Sequence, residues 1–214
     1  MTAARGARSV LERMPADLIA AARDALPPDL YQRANYRIVR PFFSLGRAYY
    51  VYAEDGRLAL FVRHPLLSLR ERLLLYADED ESIPILEVRA RQLISFNRCH
   101  DVLDAFSGVR LGSVRTRGLS FLYRDAWDIL DPEDRVCGEM VEDTLSWLRR
   151  LIHFLPGRHH IEIGGQVVAR LTQAFRFFRK EFLLEIIPTD DPVDPRFLVA
   201  CALLAVLADA RRES

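Results

Sequence analysis

The chain reads as a mainly β (α+β) protein: a closed antiparallel β-barrel of about 12 strands around a buried C-terminal α-helix, preceded by an N-terminal helical segment. Three observations predict this. A unit of roughly 26 residues recurs as strand, turn, strand and connector, a period that signals stacked or closed supersecondary units. Turn-forming pairs such as Asp55-Gly56, Ser107-Gly108 and Gly164-Gly165 sit inside the copies. The last apolar segment has no polar face and therefore needs protein around it on every side.

The first element is helical. Ser9 to Leu26 (SVLERMPADLIAAARDAL) places Val10, Leu11, Met14, Leu18, Ile19, Ala22 and Leu26 near one face, with Pro15 opening a second segment and Pro27-Pro28 ending it. Residues 1–34 are thus an extension ahead of a barrel over 35–214. From Tyr36 the texture changes to short β-branched and aromatic runs. The copies are Tyr49 to Arg63, Leu73 to Arg89, Cys99 to Arg115, Trp127 to Glu142 and His159 to Leu171. Arg63, Arg89, Arg115, Glu142 and Arg170 close successive hairpins, and Ser44, Ser68, Ser95, Ser120 and Ser146 punctuate the connectors. Leu58, Leu60 and Val62 share one face, as do Val109 and Leu111, or Trp127 and Ile129, which is the period of a half-buried sheet. Trp147 to Leu155 is short and apolar enough to be a strand or a helical turn.

The tail is a helix over 194–210. Asp194 is a good cap, Pro195 a good first residue, and Phe197 to Ala208 (FLVACALLAVLA) continues without a polar stripe. That run spans about 18 Å at a helical rise, short of the roughly 30 Å hydrocarbon core of a bilayer, so it belongs inside the protein. Five hairpins and a partial copy at each end give twelve strands. An eight-stranded interior has room only for side chains, whereas twelve strands leave room for a helix.

Composition narrows the function. With 214 residues, half of them hydrophobic, and a formal net charge of zero, the chain is a globular domain, and nucleic acid is an unexpected partner. Lys180 is the only lysine, so nearly every cation is a guanidinium suited to carboxylate or phosphate. Cys99, Cys137 and Cys201 form no close pair, and Arg5, Arg8, Glu12 and Arg13 interrupt the N-terminus, so a reducing, cytoplasmic setting without a secretory signal is expected.

With these residues in view, Tyr36 to Ala210 resembles the tubby C-terminal-like superfamily, specifically the LURP-one-related and phospholipid-scramblase-like proteins. The resemblance rests on the reiterated strand, turn, strand, Arg unit, on Gly118-Leu119-Ser120 leading into Asp125-Ala126-Trp127-Asp128-Ile129, and on the apolar C-terminal helix. It implies a non-enzymatic closed barrel around a central helix, linked to phosphoinositide binding, membrane signalling or lipid scrambling. Arg63, Arg70, Arg72, Arg89 and Arg91 are the cations comparable to the family's headgroup-binding side chains. Thr189, Asp190, Asp191 and Asp194 occupy the place of that family's calcium segment, but their spacing lacks the turn glycine and bidentate acid of an EF-type loop.

Each candidate has a plainer reading. Guanidiniums beside Glu71, Glu87, Asp101 and Asp125 fit solvated pairs holding the barrel rim as well as a headgroup site. His159 and His160 are adjacent on a strand and face opposite ways, so they do not share a metal. None of the repeated serines lies in a Gly-x-Ser-x-Gly elbow, and no cofactor is expected. The expectation is a cytoplasmic barrel, peripheral to a membrane surface, that binds anionic phospholipid at an arginine-rich rim. The alternative is a scaffold that recruits a protein partner without lipid affinity.

Overall fold

The computed structural model describes residues 15, 17–18, 21, 24, 26–27, 29–41, 47–64, 72–91, 98–117, 126–142, 157–174 and 179–212. Within the N-terminal segment, Asp17, Leu18, Ala21 and Asp24 have helical geometry. Apart from Pro15 and Leu26, the rest of the Ser9 to Leu26 reading, and the Trp147 to Leu155 segment, lie outside the described residues.

Twelve strands follow: β1 (Asn35–Pro41), β2 (Arg47–Ala53), β3 (Leu58–His64), β4 (Arg72–Tyr76), β5 (Pro84–Ala90), β6 (Cys99–Asp104), β7 (Arg110–Thr116), β8 (Ala126–Leu130), β9 (Val136–Glu142), β10 (Arg158–Ile163), β11 (Gln166–Ala174) and β12 (Arg179–Ile186), then α1 (Pro195–Arg212). Each strand pairs antiparallel with its sequence neighbours, and β1 pairs with β12 over Asn35↔Glu185 to Pro41↔Arg179, which closes the barrel. The five predicted hairpins are β2–β3, β4–β5, β6–β7, β8–β9 and β10–β11, and the partial copies are β1 and β12. Gly56, Gly108, Gly164 and Gly165 hold the positive φ angles that their turns require. One expected face differs. Val109 precedes β7 and is 59% exposed, while Leu111 packs against the core, because the hairpin register shifts between Val102 and Leu103.

The helix runs through the lumen. Phe197, Leu198, Val199, Ala200, Cys201, Ala202 and Leu203 are each 3% exposed or less. Every strand sends at least one side chain of 2% exposure or less into the same core: Ile38, Val51, Leu60, Leu75, Leu86, Val102, Val114, Ile129, Met140, Ile161, Leu171 and Leu184. Where the helix enters, Gly112 makes space, since a Cβ there would lie 2.8 Å from the Phe197 ring and 2.9 Å from the Leu130 carbonyl oxygen. Asp194 caps the helix by accepting from the Arg196 amide at 2.9 Å, and the Arg196 guanidinium donates to Asp104 at 2.5 Å. Asp104 in turn accepts from the amides of Phe106 and Ser107, so the helix start is tied to the β6–β7 turn.

The chain before β1 packs onto this assembly. Leu30 is 3% exposed, and the Tyr31 hydroxyl donates to the Ala59 carbonyl at 3.1 Å. The barrel's polarity, an apolar filling and an outer wall carrying ion-paired arginines, is the reverse of a membrane-spanning barrel. Among the described residues no helix is long and apolar enough to cross a membrane.

Candidate binding surface

Because α1 fills the lumen, ligand chemistry falls to the outer wall and the barrel ends. Of the predicted cations, Arg63 lies near the end of β3, Arg72 opens β4, Arg89 lies near the end of β5 and Arg91 follows it; Arg70 is outside the described residues. Antiparallel register sets Arg72 directly opposite Arg89. Both grip Glu87, whose side chain is 7% exposed, at 2.6 and 2.8 Å. Arg63 binds Glu81 at 2.8 Å and lies 5.6 Å from the centre of the Phe61 ring. Arg91 points elsewhere, to Asp101 at 2.6 Å, Asp134 at 2.5 Å and the Ser113 hydroxyl at 3.1 Å.

The same device recurs around the wall. Glu87 holds Arg72 and Arg89, Asp101 holds Arg91 and Arg110, and Asp128 holds Arg115 and Arg117 at 2.7 and 2.5 Å. Burial pushes the Asp101 and Asp128 carboxyls up, but hydrogen bonds from their arginines, and from Ser113 to Asp101, outweigh it and leave both below the usual carboxylate range. Each of these carboxylates binds at least one guanidinium of a neighbouring strand, a lateral clamp that also occupies the donors an incoming phosphate needs.

Two guanidiniums outside the predicted set are arranged differently. Arg37 on β1 lies 5.4 Å from the centre of the Tyr52 ring, and Arg158 opens β10. Neither makes an ion pair among the described residues. The signal for them is parity: once the hairpins are aligned, both fall on outward positions whose registered partners, Leu183 and Tyr52 for Arg37 and Thr172 for Arg158, carry no charge.

His159 is buried with its ring 6.0 Å from Trp127, and its neighbour His160 is half-buried. Among the described residues no group of three or more His, Cys, Asp or Glu side chains could hold a metal ion. A cavity of about 300 Å³ lies between the β10–β11 turn and the loop before α1, lined by Ile163, Gln166, Val168, Asp190, Asp191 and Val193. Its two aspartates suit it poorly to an anion.

No protein-family model matches this chain, and no curated protein matches it. The chain is similar in structure to a solved protein from Arabidopsis thaliana, at 16% sequence identity and a TM-score of 0.51, over 86% of this chain and 96% of that one. At that identity the likeness is one of fold alone.

Proposed function

We propose that this chain is a non-enzymatic barrel of the tubby C-terminal-like superfamily, in its LURP-one-related and scramblase-like branch, that binds anionic phospholipid or phosphoinositide headgroups on its outer wall in the cytoplasm. The observation that carries this reading is the helix in the lumen: with the interior filled by α1, the surface left for a ligand is a wall whose cations are almost all guanidiniums. Arg63 and Arg89 are 55% and 53% exposed, within reach of a phosphate. Each guanidinium near a bilayer of anionic lipid contributes about 1 kcal/mol, and several on one face give measurable, reversible binding.

Co-sedimentation tests it. The protein is expected to pellet with vesicles of phosphatidylcholine containing phosphatidylserine or a phosphoinositide, not with phosphatidylcholine alone, and to be released as salt is raised. Indifference to every vesicle would remove the lipid reading and favour a second one, a scaffold for a protein partner. That second reading has its own support: Arg63, Arg72, Arg89 and Arg91 are all held by carboxylates of the barrel itself.

A further inference from the structure

Resting on the lipid reading, we propose that the face that meets the bilayer is the wall formed by β10, β11, β12, β1 and β2, with Arg37 and Arg158 as its phosphate contacts and Leu183 as its apolar anchor. The register lines these residues up. Arg158 pairs with Thr172, Thr172 with Leu183, Leu183 with Arg37 and Arg37 with Tyr52, so one row crosses five strands on the outside of the barrel. Its side chains stand outward: Leu183 is 49% exposed between the buried Phe182 and Leu184, and Tyr52 stacks on Tyr50 at 6.1 Å with the rings 5° apart.

Charge separates this wall from the predicted rim. The guanidiniums of Arg63, Arg72, Arg89 and Arg91 must leave a carboxylate to take a phosphate, whereas Arg37 and Arg158 hold none among the described residues. Glu181 and Glu185, which flank Leu183 on β12, are already engaged, by Arg179 at 3.0 Å and by Arg170 at 3.8 Å. From β10 to β1 is three of the twelve strand intervals, about 14 Å along the wall and a quarter of its circumference. A flat bilayer touching the middle of that arc meets Leu183 first, and the two arginines reach it from either flank on their flexible stems. Guanidiniums around an exposed leucine and a tyrosine pair match the boundary between headgroups and acyl chains, where phosphate and hydrocarbon lie within a few ångströms of each other.

The test uses the full chain, vesicles of phosphatidylcholine with about 30% phosphatidylserine, and a thermal midpoint to confirm that each variant folds. Arg37→Ala with Arg158→Ala is expected to weaken partitioning about 25-fold, about fivefold for each guanidinium lost. Leu183→Asp should weaken it about tenfold, and Leu183→Trp should tighten it severalfold, a gain that misfolding does not produce. Arg115→Ala with Arg117→Ala, on the far side of the barrel at β7, should change it less than twofold. If wild type binds but the Arg37/Arg158 pair or Leu183→Asp stays within twofold of it, this face is wrong and lipid binding stands elsewhere on the protein. If wild type binds no vesicle at all, the lipid reading itself falls and takes this face with it.

Discussion

At single residues, the barrel is controlled by glycines that admit a neighbour and by carboxylates that hold two cations. A Cβ on Gly138 would collide with the Glu162 carbonyl oxygen on the paired strand β10, and backbone cannot step aside as a side chain tip can. Gly138→Ala is therefore expected to cost about 3 kcal/mol in a urea titration, against about 1 to 2 kcal/mol for Gly112→Ala, where part of the clash is with the Phe197 ring. The clamps give a pH signature. Asp101 and Asp128 are held below their unfolded value of about 3.9, so the stability they contribute is fully present above about pH 4 and is lost as pH falls through their depressed folded values. Replacing both by Asn should lower stability at pH 7 and make the fall below about pH 4 shallower; an unchanged acid slope would show that other groups carry it. The clamps were partly legible. Glu87 and Asp101 stand out as acids beside arginines, but the Arg91 to Asp134 contact joins residues 43 positions apart and no local pattern announces it.

At the level of elements, α1 has the plainest cause and the largest effect. Its sequence has no polar stripe, so no one-sided packing could satisfy it, and the twelve-stranded wall leaves it room that an eight-stranded one would not. Removing its atoms leaves a void between elements that cannot collapse, because the wall is tied by its own hydrogen bonds. Leu198→Ala, at a position 1% exposed, should cost about 2 to 5 kcal/mol by urea denaturation, near the upper end if the barrel holds its diameter. A cost below about 1 kcal/mol would mean that the wall closes onto the thinner helix. Hairpins were equally legible, because each is a local event of alternating residues about a glycine turn. The docking row was not, since Arg37, Leu183 and Arg158 lie on three strands far apart in sequence. Its one visible trace is Phe182-Leu183-Leu184, three successive apolar residues where strict alternation would place a polar one outward.

For the whole molecule, the repeat predicts a meander, and a meander has one long-range pairing, the seam between its first and last strands. The structure makes that closure strong, with seven paired positions between β1 and β12, so the joint with the greatest loop-closure cost is also among the most extensively paired. The weak joint lies elsewhere: among the described residues β3 and β4 share a single registered pair, Phe61↔Tyr76, although they are neighbours in sequence. Opening free energies follow the local density of such pairings, so the wall should open there first rather than at its ends. Native-state hydrogen exchange should find the amides of β4 exchanging well ahead of those of β1, β12 and α1, in a step that leaves the global transition untouched. An order in which β1 and β12 exchange first would show that closure, and not the β3–β4 joint, limits the barrel. The proposed docking wall ends at β2, which six paired positions hold to β3, so a headgroup bound by Arg37 and Arg158 would meet a surface that stays assembled while the β3–β4 joint opens.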